Sequence, residues 1–450
     1  MKHADGPLHR DAYAVYLPAV NDTYAAETSK ELADDRPFPS GLTLSDLVFW
    51  EPNELWYYPY LLHSIGLYSV GSLPNNTVTQ RNRLSNTLVG DSGGYQIGKG
   101  SMKGLSKIRA KPMPAQAAVD AWQQESRARE LITGWLDTYA DYAMTLDMPL
   151  WAASPDGASS PFHNCTTAQL IDMTVQNLRF IGRRADGQAK WLNVVQGGET
   201  EADIALWWDA VKSFRRGGWA LAGSAGAKGG IANMLRTLLM MRDDGAFDPG
   251  QDWVHVLGIS TPKWAVLLSA VQQALRQYNP SLRVSFDSSS PFQTGGRYED
   301  VALTPAFTTD EGTWSIGTEL APQSRLHADQ DLATPFAHDQ SPIGRRLLLH
   351  HLSVRGGVWD QRNFDSISNT LLTNHNVWVY LDAMKQANDI AAARDTARVP
   401  ARYLQCLAFI EDVFRRDDWS TAIAGNQTLL DAVAPSGYKT AGLGSVTEFQ

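Results

Sequence analysis

The sequence predicts an α/β protein built as a (β/α)8 TIM barrel, and three observations predict it. Six short apolar runs each end in a polar residue or a glycine: Asn86-Thr87-Leu88-Val89-Gly90-Asp91, Tyr142-Ala143-Met144-Thr145-Leu146-Asp147, Trp191-Leu192-Asn193-Val194-Val195-Gln196, Trp219-Ala220-Leu221-Ala222-Gly223, Trp253-Val254-His255-Val256-Leu257-Gly258 and Leu282-Arg283-Val284-Ser285-Phe286-Asp287. Segments with helical spacing separate most of them, so strand and helix alternate at intervals of roughly 25 to 55 residues, as parallel βα units do. The polar residues fall at the C-terminal ends of the strands, the face on which a closed barrel collects its active site. An open doubly wound sheet would need a glycine fingerprint after its first strand. The glycine-rich Gly223-Ser224-Ala225-Gly226-Ala227-Lys228-Gly229-Gly230 lies late in the chain and lacks a Gly-Lys-Ser/Thr ending, so it does not serve as one.

Taken in order, residues 1–40 mix polar and turn residues without clear periodicity and predict an irregular N-terminal extension. Residues 41–385 carry the barrel with inserted segments, and 386–450 a C-terminal helical region packed on it. Between 42 and 73 the aromatics Phe49, Trp50, Trp56, Tyr57, Tyr58 and Tyr60 predict the packed core of early barrel elements rather than a base-stacking platform. The strand to Asp91 comes next, then a basic stretch, then a helix over 115–139, with Ala118, Trp122, Leu131, Ile132, Trp135 and Leu136 near helical spacing. Thr166 to Leu170 opens a capped helix running to about Arg183. Helices over 201–214, 231–241 and 262–278 alternate with the strands ending at Gln196, Gly223, Gly258 and Asp287. Tyr403, Leu404, Leu407, Ile410, Val413 and Phe414 mark a later helix with a packing role.

With 450 residues, 43% of them apolar, the chain has material for a large core. No run of about 18 apolar residues occurs and the first residues lack an apolar signal segment, so a cytoplasmic protein without membrane contact is expected. Cys165 and Cys406 cannot form a disulfide framework or a close ligand pair and are expected as reduced, buried thiols. A net charge of −9 does not advertise a nucleic-acid binder. Locally, however, Arg81, Arg83, Lys99, Lys103, Lys107, Arg109 and Lys111 face Asp91 as the only acid of their segment, around Gly98, Gly100 and Gly104. Such a loop either lies along a phosphate backbone or is a solvated surface.

An aspartate before serines, as in Asp287-Ser288-Ser289-Ser290-Pro291, is usually a turn or cap residue. Its company changes that reading. Gly90-Asp91-Ser92-Gly93-Gly94-Tyr95-Gln96 and Val194-Val195-Gln196-Gly197-Gly198 resemble the Asp-Ser-Gly-Gly-Phe-Gln and Val-Gln-Gly-Gly elements of the guanine transglycosylases, the family of the queuine tRNA-ribosyltransferases. Asp147, Gly223, Gly258-Ile259-Ser260-Thr261-Pro262 and Phe286-Asp287 follow in that family's order. Leu349-His350-His351-Leu352 and Leu371-Leu372-Thr373-Asn374-His375-Asn376 are similar to its late helical segments. The resemblance spans about residues 85 to 385.

The resemblance implies a (β/α)8 barrel that replaces a guanine in a polynucleotide by a 7-deazaguanine. Asp287 would attack C1′ of the nucleoside and Asp91 would move the base's proton, a division of labour familiar in glycosyl transfer. Asp147 would face the donor edge of the base, Gln196 and the backbone near Gly223 its O6 edge, with Ser92 and Gly258 completing the base pocket. Gln196 on its own would read as a satisfied strand-end amide. Lys99, Lys103, Lys107, Arg109, Lys111 and Arg297 are the expected nucleic-acid contacts, and Arg345, Arg346, Arg355 and Arg362 are either further contacts or solvated helix residues.

Two departures refine the expectation. The family's structural zinc is held by three cysteines and a histidine; here the cysteine positions correspond to Phe336, His338 and Ser341, and only His375 remains. No metal or cofactor is expected, an improvised set of His338, Asp339 and His375 being the alternative. After Pro291 the family's anticodon-contacting arginines are displaced, leaving Phe292, Gln293, Thr294, Gly295, Gly296 and Arg297. That pattern resembles the branch acting on DNA, with a base such as 7-cyano-7-deazaguanine as co-substrate and helper proteins of a modification system as possible partners. A tRNA substrate with rebuilt anticodon recognition, or a catalytically silent nucleic-acid-binding paralogue, are the alternatives.

Overall fold

The computed structural model describes residues 8–71, 74–105, 107–197, 201–321, 333–352 and 364–437. Eight strands form one sheet: β1 (Val15–Pro18), β2 (Tyr60–Ser64), β3 (Thr87–Asp91), β4 (Tyr142–Met144), β5 (Lys190–Val195), β6 (Gly218–Leu221), β7 (Trp253–Val256) and β8 (Arg283–Ser288). Their order is β1-β8-β7-β6-β5-β4-β3-β2, and every neighbouring pair is parallel. The end strands meet at a single parallel bridge, Ala19 to Leu62, where Val20 N donates to Leu62 O at 2.9 Å. The sheet is thus a nearly closed barrel. Strands covered on both faces are apolar almost throughout, as in the fully buried Gly-Trp-Ala-Leu of β6.

The helices are α1 (Asp22–Glu27), α2 (Gly94–Lys99), α3 (Ala115–Gln123), α4 (Ser126–Tyr139), α5 (Thr167–Arg184), α6 (Glu201–Val211), α7 (Gly230–Asp243), α8 (Pro262–Leu275) and α9 (Ser290–Gly296), followed by α10 (Ser366–Ala392), α11 (Ala401–Val413), α12 (Trp419–Gly425) and α13 (Gln427–Val433). A two-stranded antiparallel ribbon, β9 (Asp300–Leu303) and β10 (Gly317–Leu320), lies between α9 and α10. α5 starts at the expected cap: Thr166 and Gln169 form a reciprocal capping box. α11 packs on α8 and α13 on α7, so the last helices cover barrel helices.

Three expectations are corrected. The segment read as an irregular extension contains β1, whose Val15, Tyr16 and Leu17 are buried and pair with Ser285, Phe286 and Asp287. The helix expected over 115–139 is two helices, because the Glu125 carboxylate accepts the Ala128 amide at 3.3 Å and caps a new start. The boundary expected at 385/386 falls inside the continuous α10. The early aromatics pack as expected: Phe49 stacks on Trp56 with centroids 5.0 Å apart, and among the six named only Tyr57 is half-buried rather than buried.

Buried histidines limit the fold toward acid. His63 in β2 has Nδ1 on Val20 O at 2.7 Å and Nε2 on the Tyr68 hydroxyl at 2.8 Å, and burial pushes it down to about 4. Burial also pushes His351 and His375 down to about 4. A histidine held below its unfolded value of about 6.5 contributes stability above that pH and loses it as the pH falls toward the folded value. For the fully buried His63 and His375 the loss is on the order of 3 kcal/mol each. Asp147, pushed up to about 7 mainly by burial, has the opposite sign and gains stability over the same fall, as do Asp91, Glu54, Asp300 and Asp382, which burial also raises; these offset part of the loss from the three histidines. Tm is therefore expected to drop between about pH 6.5 and about pH 4, and more steeply in Asp147→Asn. A flat or rising melting curve over that window would contradict the assignment.

Candidate active site

Asp91 closes β3 in register with Ser64, the last residue of β2, and the Ser64 hydroxyl donates to its Oδ2 at 2.5 Å. Burial raises the Asp91 carboxyl above the usual range; the Ser64 hydrogen bond opposes this and the charge of Asp287 adds to it. The chain then turns through Gly93, at φ +77°, where a side chain would meet the Gly66 backbone at 2.5 Å. At Gly94 a Cβ would come 2.9 Å from Asp147 Oδ1, so a glycine there lets α2 begin directly against that carboxyl. Ser92 is buried between them, with its hydroxyl on Thr145 O at 3.3 Å.

Asp147 follows β4 and is buried, and Gln196, just past β5, donates its side-chain amide to Asp147 Oδ2. Gln196 Oε1 accepts the Leu150 amide at 3.0 Å. Burial pushes Asp147 up to about 7, the nearby Asp91 charge raising it further and the Gln196 bond lowering it. Gly223, at φ +55° after β6, borders the same group, since a Cβ there would lie 3.9 Å from Gln196 Oε1.

Asp287 lies in β8, its side chain 15% exposed. Its Oδ1 accepts two donors, the Gly258 amide at 2.9 Å and His255 Nε2 at 3.2 Å. Among the described residues its Oδ2 has no partner. Asp91, Asp147, Gln196, Gly223, Gly258 and Asp287 therefore stand at the same C-terminal edge of the barrel, with Asp91 electrostatically linked to both other carboxyls. One carboxylate with an oxygen that has no partner among the described residues, together with a second whose burial favours its protonated form, is suited to nucleophilic attack coupled to proton transfer.

The basic stretch divides. Arg81 and Arg83 are not part of an open surface, because both pair with Asp141 at 2.6 and 3.1 Å and tie the loop before β3 to the one before β4. Lys107 bonds Gln124 at 2.9 Å, and Lys99 sits 5.2 Å over the ring of Tyr95. Lys103, Arg109 and Lys111 are exposed and, among the described residues, their side chains have no partner. Arg297, also exposed, lies 5.8 Å over Tyr298. Arg345 bonds the carbonyls of Asp339 and Gln340. Gly198, Arg355 and Arg362 fall outside the described residues.

Phe336, His338 and Ser341 converge on His375. The Ser341 hydroxyl is 2.8 Å from His375 Nδ1, the ring centroids of Phe336 and His338 lie 5.7 and 6.2 Å from that of His375, and His338 pairs with Glu319 at 2.7 Å. A phenyl ring and a hydroxyl in place of thiolates do not fit a tetrahedral zinc site. Among the described residues no group of three or more His, Cys, Asp or Glu side chains is arranged to hold a metal ion, so the alternative set with Asp339 is not assembled. Cys165 and Cys406 are buried and unbridged.

Sequence reasoning missed Ser64, His255 and Ser285. Each is polar within an apolar strand, a signal visible in the sequence, but only cross-strand register shows that Ser64 faces Asp91 and that His255 faces Ser285. It also missed the ring pair beside Asp147's loop, exposed Tyr95 with half-buried Trp151 at 5.3 Å between centroids. No model of a known protein family matches this chain, and no curated protein matches it significantly. No helix among the described residues is long and apolar enough to cross a membrane.

Proposed function

We propose that this chain is a DNA-guanine transglycosylase that exchanges guanine for a 7-deazaguanine through a glycosyl-enzyme on Asp287. The observation that carries the reading is the carboxyl pair at the barrel edge: Asp287 has Oδ1 clamped by two donors and Oδ2 without a partner among the described residues, while Asp91 is biased by burial toward keeping a proton. Oδ2 forms a bond to C1′ as the C1′–N9 bond breaks, and Asp91 gives its proton to the departing guanine. In the second half the incoming base attacks C1′ through N9, the C1′–Oδ2 pair returns to Asp287, and the N9 proton returns to Asp91. A base with carbon at position 7 cannot be protonated there on leaving, so exchange runs one way.

Asp147 offers an acceptor to the N1 and N2 donors of the base, and Gln196 with the backbone at Gly223 faces O6. In the free protein the Gln196 amide bonds Asp147, so the base takes over that partner. The target nucleotide has to leave its helix to reach this edge. Lys103, Arg109 and Lys111 supply phosphate contacts at the rim. DNA is favoured over tRNA because the positions after Pro291 form α9, with Phe292 buried and Gln293 bonded to Ser289 at 2.7 Å, instead of presenting arginines. The fold in this reading is a (β/α)8 TIM barrel with additional C-terminal helices, and its chemistry uses protein side chains.

Incubation with labelled 7-cyano-7-deazaguanine and duplex DNA, single-stranded DNA or unmodified tRNA, followed by nucleoside mass spectrometry, tests the proposal. Label in deoxynucleosides is expected; label confined to tRNA overturns the choice of polynucleotide, and label in none contradicts the reaction. Asp91→Asn is expected to slow exchange by about 10²- to 10⁴-fold, the usual worth of a positioned acid/base. Exchange at the wild-type rate would remove Asp91 from the mechanism.

A further inference from the structure

We infer that His255 is a positioning residue for Asp287, held in its Nε2–H form by a hydrogen-bond chain that starts at Trp253 and passes through Ser285. This rests on the reading of Asp287 as the nucleophile. His255 and Ser285 are opposite each other in the β7–β8 register and both are fully buried inside the barrel. The Trp253 indole, which can only donate, gives its N–H to Ser285 Oγ at 2.7 Å. Ser285 Oγ is 2.9 Å from His255 Nδ1. With its oxygen already accepting from Trp253, the hydroxyl has its own proton to give, and Nδ1 is the acceptor in reach. The remaining nitrogen, Nε2, then carries the ring proton and points it at Asp287 Oδ1, 3.2 Å away.

The opposite tautomer would turn a lone pair toward the carboxylate and leave the Ser285 proton without that acceptor. The chain therefore selects one proton arrangement across two strands. Its consequence is at the carboxylate. His255 and the Gly258 amide converge on the same oxygen, Oδ1, which fixes the carboxylate plane and leaves Oδ2 as the attacking atom. When Oδ2 is bonded to C1′, Oδ1 is the carbonyl oxygen of the resulting ester and still receives both donors. The same two bonds thus hold the nucleophile before attack and stabilise the returning carboxylate when the ester breaks.

Two measurements test this. In protein labelled with ¹⁵N-histidine, the His255 ring is expected to show a protonated Nε2 and an unprotonated Nδ1, with Nε2–H moving on Asp287→Ala. A protonated Nδ1 with bare Nε2 would overturn the chain, and this result does not depend on any activity. In single-turnover assays with saturating DNA, His255→Leu is expected to slow formation of the covalent adduct by about 10- to 100-fold, the usual cost of removing an orienting partner, with DNA affinity unchanged. His255→Gln, whose amide N–H reaches toward the place of Nε2–H, is expected to recover most of that rate. Equal rates for wild type and His255→Leu, or a loss in His255→Leu matched by an equal loss in His255→Gln, would contradict a donor role. A wild-type protein that forms no adduct on any polynucleotide would instead contradict the reading of Asp287, and the tautomer measurement would still decide the chain.

Discussion

Asp287→Asn is expected to lower base exchange by a factor on the order of 10⁴ or more while changing stability by less than about 1 kcal/mol. The asparagine carbonyl can keep the place of Oδ1, so the Gly258 amide and His255 Nε2 retain their acceptor. The amide nitrogen then occupies the position of Oδ2, where it cannot form a glycosyl ester. Little volume changes, neither existing donor is orphaned, and the side chain is 15% exposed, so the melting curve should stay near that of the wild type. Guanine exchange and thermal melting on the same preparation separate the two effects. Exchange at an undiminished rate would remove Asp287 from the mechanism, and a collapse of Tm would make the carboxylate a structural group.

Asp147→Asn carries the second large effect. Asp147 is buried with Gln196 as its side-chain partner, and an asparagine there presents a donor toward the N1 and N2 donors of the base. A site built to pair such an edge loses on the order of 10⁴ in discrimination when the pairing group is wrong, because the base's donors are left unsatisfied. A pH dependence accompanies it. Burial pushes Asp147 up to about 7 in the free protein, so below that pH the carboxyl is increasingly protonated and must lose its proton to receive two donors. Base affinity is expected to fall about tenfold per unit below about pH 7 in the wild type and to show no such slope in Asp147→Asn. Calorimetric titration with the free base across pH reads both, and identical profiles for the two proteins would contradict the role.

Six barrel strands were legible because each is a short, mostly apolar run that stops at a polar residue or a glycine. β1 was not, because the apolar run over 12–20 that contains it is interrupted by Pro18, which lacks a ladder donor and argues against a sheet strand. β2 was hidden because it continues an aromatic run and is itself buried on both faces, so no apolar–polar alternation marks it. The residues at the strand ends, Asp91, Asp147, Gln196, Gly223, Gly258 and Asp287, were legible individually, since chain position alone puts them at one barrel edge. What pairs with them was not. Ser64 reaches Asp91 and His255 reaches Asp287 through register, which depends on how neighbouring strands align. Arg81 and Arg83 were placed with the open basic loop because their partner Asp141 lies far along the chain. Ser92 was grouped with the base contacts; its hydroxyl proton goes to the Thr145 carbonyl, a partner that register rather than sequence brings within reach.

The central claim is a covalent bond between Asp287 and the sugar, and trapping it is the most direct measurement. Protein mixed with target DNA, quenched in denaturant and acid, digested with nuclease and protease, and mapped by mass spectrometry should yield a peptide containing Asp287 with one deoxyribonucleotide remnant attached, and addition of the 7-deazaguanine before quenching should discharge it. A remnant on Asp91 or another residue, or continued base exchange with no adduct at Asp287, would contradict the account.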